Sequence, residues 1–171
     1  MSSIEVLISE EDVRARIKDM ADNISERFKD KDVVLIGILN GSVFFMTELA
    51  QKLSIPVEME FMSASSYAGT SSTGKVLITK DIERSVRDKH VIIIEDIIDS
   101  GLTLQMLADL LRAKNPASLT IVTLLDKKER RTVNIEPDYV GFQIPDEFVV
   151  GWGLDYNQQY RNLPFIGIIK D

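Results

Sequence analysis

"VIIIEDIIDSGLTL" (residues 91–104) sets an apolar run against three carboxylates, Glu95, Asp96 and Asp99, and follows them with the turn Ser100-Gly101-Leu102-Thr103. The run "HVIII" is short, β-branched and free of interior polar residues, which reads as a strand buried on both faces of a parallel sheet. Beyond the turn, Leu104, Leu107, Ala108 and Leu111 recur every three or four residues, so the spacing predicts a helix from Leu104 to Lys114, stopped by Asn115-Pro116. A strand that runs through a glycine turn into a helix is the repeating unit of an open α/β sheet. In such sheets ligands sit beyond the carboxyl ends of the strands, which is where residues 95–103 fall.

The flanking sequence extends the pattern. Ser9 and Asp12 read as a capping box ahead of a helix carrying Val13, Ile17, Met20, Ile24 and Phe28 on one face. "VVLIGIL" reads as a second buried strand, "NGS" turns it into a helix from Val43 to about Leu53, and Pro56 closes that helix off. "VEMEFM" and "SLTIVTLL" are further strands. Residues 63–80, "SASSYAGTSSTGKVLITK", carry little apolar surface before Val76 and read as a mobile loop or loose hairpin. From Asp126 the pattern shifts to "YVGFQIP", "FVVGWGLDY" and "FIGIIKD", short strands suited to a flap or to sheet edges. Alternating strands and helices with apolar runs this continuous predict an α/β fold with a mostly parallel sheet.

Composition narrows the function. The chain has 171 residues and a net charge of −7, enough for one well-filled core and the wrong sign for a nucleic acid or anionic membrane partner. Any bound phosphate is expected to be small and locally held. With no cysteine, disulfide and thiolate chemistry are excluded. The acidic start "MSSIEVLISEEDVRARIKD" lacks the pattern of a signal peptide, and no apolar run reaches the ~18 residues of a membrane span, so a cytoplasmic location is expected.

Ser100 to Thr103 would present unpaired backbone N–H groups and two hydroxyls at a helix start, a cradle for phosphate. Taken alone, the same four residues are equally an ordinary capped turn. The carboxylates argue for more, since acids beside an anion site repel the ligand unless sugar hydroxyls or a bridging Mg²⁺ intervene. A phosphorylated ribose bearing a metal-bound diphosphate would use both.

At this point "VIIIEDIIDSGLTL" resembles the phosphoribosyl pyrophosphate signature of type I phosphoribosyltransferases, and the hypoxanthine(-guanine) branch is the most similar. "ILNGSVFF", "SSYAG", "LLDKKERR" and "PDYVGFQIPDEFVVGWGLDYNQQYRNLPFIG" follow in that branch's order and spacing, over nearly the whole chain. The resemblance implies a twisted, mostly parallel sheet flanked by helices, one phosphoribosyltransferase domain over residues 1–171, and a small hood from the C-terminal strands with elements near the termini. It implies an enzyme of purine salvage that moves the 5-phosphoribosyl group from 5-phospho-α-D-ribose 1-diphosphate to N9 of hypoxanthine and guanine, giving IMP or GMP and pyrophosphate. Mg²⁺ is the implied cofactor, and a homodimer or homotetramer the implied assembly.

Carried over residue by residue, the resemblance places Glu95 and Asp96 on the ribose hydroxyls and Asp99, Ser100, Gly101, Leu102 and Thr103 around the 5′-phosphate. Asp99 is the implied catalytic carboxylate near N7 of the purine, where it takes or shares a proton or merely orients the base. Lys127 is implied to donate to O6, which selects 6-oxopurines over adenine. Phe148 would stack on the purine, and Val149 and Asp155 would meet its edge. Leu39, Asn40, Gly41 and Arg161 are implied pyrophosphate contacts, with the Leu39–Asn40 peptide cis, and Arg161 is counted with Asp99 in catalysis. Glu95, Asp96 and Asp155 are the implied metal ligands, and Ser66 and Tyr67 begin a loop that closes over the reacting centre and excludes water. Asn40 and Leu102 stand where some relatives carry Lys, so the backbone must do the binding there. Judged by type alone, Lys127 would be a solvated surface charge, and Phe148 and Trp152 core residues. His90, the only histidine, reads as structural or exposed.

Rival readings are a xanthine-preferring or broad 6-oxopurine enzyme and a nucleotide-sensing regulatory protein on the same fold. The second wants a basic face that a charge of −7 does not supply. A nucleoside-diphosphate hydrolase or kinase would want a Walker-type loop or a phospho-acceptor histidine.

Overall fold

The computed structural model describes residues 3–66 and 76–170. The first helix, α1 (Glu10–Arg27), begins where the Ser9 hydroxyl accepts from the Asp12 N–H at 3.2 Å, and acids occupy its first turn. Val13, Ile17, Met20, Ala21 and Ile24 form its buried stripe. Strand β2 (Val33–Leu39) follows, then α2 (Val43–Lys52), β3 (Glu58–Ser66) and β4 (Val76–Lys80). Strand β5 (His90–Ile98) leads into α3 (Leu102–Arg112), and β6 (Ser118–Asp126) into a short 3-10 turn at Lys128–Arg130 and β7 (Tyr139–Gln143). Three strands remain: β1 (Ser3–Ile8), β8 (Val149–Val150) and β9 (Ile166–Lys170).

Six strands form the main sheet in the order β4-β3-β2-β5-β6-β7, parallel except for the antiparallel edge strand β4. Side-chain alternation sorts the central strands between two cores. Leu35, Ile92 and Ile94 face α1 and α2, whereas Val34, Ile36, Val91 and Ile93 face α3 with Leu104, Leu107 and Leu111. With both faces covered, β2 and β5 have no solvent side, and their unbroken apolar runs follow from that. The expected α/β fold with a mostly parallel sheet is the observed one.

The remaining strands pair antiparallel as β1-β9-β8 and make a separate small sheet, the expected hood. The resemblance places hood elements near the termini, but the local sequence of β1 was not read as a strand. Of the two expectations for residues 63–80, a mobile loop or a loose hairpin, the described arms form a hairpin: β3 runs on to Ser66 and β4 pairs with it from Ser66↔Val76 to Ser63↔Lys80. Tyr67 and the rest of that loop to residue 75 lie outside the described residues. His90 is structural, its Nδ1 2.7 Å from the Ser118 hydroxyl and its ring edge-on to Phe28.

Candidate active site

The carboxyl ends of β2, β5 and β6 open on one side of the sheet, and two adjoining cavities lie there. The first, about 330 Å³, is lined by Leu39, Gly41, Glu95, Asp96 and the turn Asp99 to Gly101 with Thr103. The second, about 390 Å³, is lined by Lys127, Arg130, Asp146, Phe148, Val149 and Asp155. Ile97 and Asp99 line both, so the Asp99 carboxylate stands at their junction.

Gly101 opens α3 with φ +85°, a left-handed backbone that side chains disfavour. Among the described residues the N–H groups of Asp99, Ser100 and Gly101 meet no protein acceptor, and that of Leu102 meets only the Ser100 hydroxyl at 3.3 Å. These donors and the start of an eleven-residue helix give the first cavity an anion-binding end. Leu102 itself is exposed and, like Asn40, is not part of the wall.

The opposite end is acidic. Glu95 is buried and Asp96 half-buried, and neither makes an ion pair among the described residues. Burial pushes the Glu95 carboxyl well above the usual carboxylate range, and the neighbouring Asp96 charge adds to the rise. Burial raises Asp96 as well, against the opposing effects of the Ile97 N–H, which donates to its Oδ1 at 2.7 Å, and of the Arg161 charge. Two adjacent acids with so little compensation suit a divalent cation or sugar hydroxyls. No cluster of three or more metal-ligating side chains occurs among the described residues. Mg²⁺ needs no such cluster, since it keeps waters and substrate oxygens around one or two carboxylates, so the residues fit that ion.

The Leu39–Asn40 peptide is cis, as expected. Gly41 follows it against the Asp96 carboxylate, where a Cβ would overlap Oδ2. From the hood, Gly153 comes equally close to the Gly41 carbonyl. Arg161 reaches back over the same place: its Nη1 donates to the Gly153 carbonyl at 2.6 Å, and its Nη2 lies 3.5 Å from Asp155 Oδ1. Asp155 thus faces Arg161 and lines the second cavity, away from the Glu95–Asp96 pair's own wall.

Lys127 is buried at the end of β6, with its Nζ between Asp99 Oδ1 at 3.7 Å and Asp146 Oδ1 at 3.8 Å. A lysine from the charged run "DKKERR" is therefore the one turned inward. Phe148 is half-exposed and edge-on to Tyr156 with ring centres 5.7 Å apart, whereas Trp152 is buried and donates from Nε1 to the Pro164 carbonyl at 2.6 Å. An exposed aromatic above a polar cavity is available to stack on a planar ligand. The expectation by residue type, that both aromatics are core, holds for Trp152 alone.

Several contributors were not singled out from the sequence: Asp126, Arg131, Gln143, Asp146 and Gly153. The first three form a network around the buried Asp126, in which Arg131 Nη2 donates to Asp126 Oδ1 at 2.8 Å and the exposed Gln143 donates from Nε2 to Asp126 Oδ2 at 3.2 Å. An acid ending the otherwise uncharged strand "SLTIVTLLD" was the available signal for Asp126.

Residues 8–157 match the model of the phosphoribosyl transferase domain. The chain belongs to that family. As a phosphoribosyltransferase it is 49% identical over 168 residues to the hypoxanthine phosphoribosyltransferase of Haemophilus influenzae, covering 96% of this chain and 94% of the other. Against the hypoxanthine-guanine phosphoribosyltransferase of Staphylococcus epidermidis it is 51% identical over 166 residues, 96% of this chain and 93% of the relative. Among crystal structures, that of a hypoxanthine-guanine phosphoribosyltransferase from Bacillus anthracis is similar with a TM-score of 0.94 at 46% identity, over 98% of this chain and all of the other. A hypoxanthine phosphoribosyltransferase from Staphylococcus aureus is similar at a TM-score of 0.94 and 48% identity, over 97% and 91% of the two chains. The family and branch expected from the sequence are the ones found.

Proposed function

We propose that this phosphoribosyltransferase moves the 5-phosphoribosyl group from 5-phospho-α-D-ribose 1-diphosphate to N9 of hypoxanthine and guanine, releasing pyrophosphate. The observation that carries this is the position of Asp99, shared between an amide-and-acid cavity sized for a phosphorylated sugar and a second cavity with a buried lysine and an exposed aromatic. A reaction joining a base to a ribosyl carbon needs its two substrates in adjoining pockets, with a proton carrier between them.

In this reading the amides of Asp99 to Gly101 bind the 5′-phosphate, and Glu95 and Asp96 accept from the ribose hydroxyls. Lys127 donates to O6 of the purine, Phe148 stacks on the ring, Val149 and Asp155 meet its edge, and Asp99 holds the proton near N7. Arg161 and the backbone of Leu39 to Gly41 bind the leaving pyrophosphate. Mg²⁺, held by Glu95, Asp96 or Asp155 with substrate oxygens, would neutralise charge on that leaving group. The loop begun by Ser66 and Tyr67 would keep water from the ribosyl centre. A homodimer or homotetramer and a cytoplasmic location complete the proposal.

The test is pyrophosphate release from 5-phospho-α-D-ribose 1-diphosphate and Mg²⁺ with hypoxanthine, guanine, xanthine, adenine or uracil, beside an Asp99→Asn variant. Turnover confined to 6-oxopurines and weakened in the variant is expected, and the rank of xanthine decides between the main reading and a xanthine-preferring one. Silence with every base, from folded protein that binds the ribosyl diphosphate, would refute the transferase reading in favour of nucleotide sensing.

A further inference from the structure

Between β6 and β7 the chain folds back beneath the phosphate turn and bonds to it at every step. The Lys127 N–H donates to the Ile98 carbonyl at 3.0 Å, Arg131 Nη1 to the Asp99 carbonyl at 3.2 Å, and the Thr132 N–H to the Ser100 carbonyl at 3.0 Å. Three successive carbonyls are thereby taken by one segment. In a trans peptide the carbonyl and the following N–H point to opposite sides of the chain. Fixing the carbonyls of residues 98–100 therefore fixes the N–H groups of Asp99, Ser100 and Gly101 on the other side, and those three residues wall the first cavity.

Two side chains share in this: the Thr132 hydroxyl adds a longer bond to the Ser100 carbonyl at 3.4 Å, and Arg131, which alone of the two is anchored from behind, holds the Asp99 carbonyl. Its Nε donates to the Ile135 carbonyl at 3.1 Å and its Nη2 to Asp126 Oδ1 at 2.8 Å, with side-chain exposures of 10% and 2% for the pair. Gln143 takes the other Asp126 oxygen. The planar guanidinium thus spans three acceptors belonging to the strand end, the loop and the phosphate turn, which an ammonium on a flexible stem does not do. Its Cδ and the side chain of Ile135 also close the space beside Gly101, at 3.0 and 2.7 Å from where a Cβ would stand.

We infer that Arg131, held by Asp126, is a positioning residue for 5′-phosphate recognition: it aims the amides of Asp99 to Gly101 without touching the substrate. The inference rests on the reading of that turn as the 5′-phosphate site. A residue that only supports the fold would weaken all ligands alike; one that aims the amides should act on the phosphate alone.

The experiment measures calorimetric affinity for IMP and for inosine, which differ only in the 5′-phosphate, in the wild type, in Arg131→Lys, and in a double variant Asp126→Leu with Arg131→Met. The lysine variant keeps Asp126 paired, and the double variant removes both charges so that none is left buried alone; thermal melts confirm that each is folded. In the variants the preference for IMP over inosine is expected to shrink about tenfold or more, with inosine affinity within about twofold of wild type. An IMP preference that survives intact, or equal weakening of both ligands, would overturn the role of Arg131. A wild type with no preference for IMP would instead remove the phosphate site itself, and with it the premise.

Discussion

Replacing Gly101 by alanine tests whether the turn from Asp99 to Thr103 is built on a backbone that only glycine relieves. The residue holds φ +85°, and its Cβ would stand 2.7 Å from Ile135 Cγ2, 3.0 Å from Arg131 Cδ and 3.1 Å from Val133 Cγ2. The left-handed backbone costs an alanine about 1–2 kcal/mol. Forcing a methyl into a packed contact with a β-branched side chain adds about 1–3 kcal/mol. Together these predict a loss of about 2–5 kcal/mol, or a melting point lower by about 4–20 °C for a chain of this size. Urea unfolding followed by circular dichroism, with a thermal melt in parallel, reads the effect. The control is Leu102→Ala, one residue on, exposed and at a helical position, where a change within about 0.5 kcal/mol is expected. A fall of under about 2 °C in Gly101→Ala, or an equal fall in the control, would refute the reasoning.

Lys127→Met removes the cation between Asp99 and Asp146, both half-exposed. Steady-state kinetics should show kcat/KM for hypoxanthine lower by about 100-fold or more, with little change in melting temperature. The Glu95 carboxyl, raised by burial and by Asp96, contributes stability that is complete below its ordinary value of 4.5 and is lost as pH rises through the higher folded-state value. Glu95→Gln, which cannot ionise, should therefore melt higher than wild type at pH 8, with the difference shrinking toward pH 5 in a scan of melting temperature against pH. Ser9→Ala deletes the cap of α1 and should cost about 1 kcal/mol, seen as a melting point lower by about 2–4 °C.

What the sequence made legible was whatever local periodicity or composition encodes. The buried strands β2 and β5 and the apolar stripe of α1 follow from residue order because neighbours in the chain share one environment. The start of α3 was displaced by two residues, since Gly101 already supplies the turn and Leu102 enters the helix with its side chain in solvent. Strand β1 has no buried residue and gains its conformation from pairing with residues 166–170, a partner no local window contains. Likewise "SASS" has little preference for a strand, yet residues 63–66 are one because β4 lies alongside. In the site, the acids and the glycine turn were readable as chemistry, whereas the Lys127 role came through family resemblance, since composition alone makes it a surface charge. The Asp126–Arg131 pair escaped notice because "DKKERR" offers several equivalent charges, and only the fold-back beneath Ser100 selects which one goes inside.

The small sheet joins Ser3 to Lys170 as cross-strand partners, so β8, which carries Val149 into the wall of the second cavity, pairs with a strand that is itself held by the other end of the described chain. Closing that pairing spans more of the sequence than any other contact in the fold, and loop closure of that length is slow compared with the local steps that form α1 or α3. In the order of synthesis β1 precedes the six strands of the main sheet and its partner β9 follows them. The six strands of the main sheet are complete in the sequence by Gln143, so that sheet can form before β8 and β9 exist, and the small sheet is the last part of the fold that can pair.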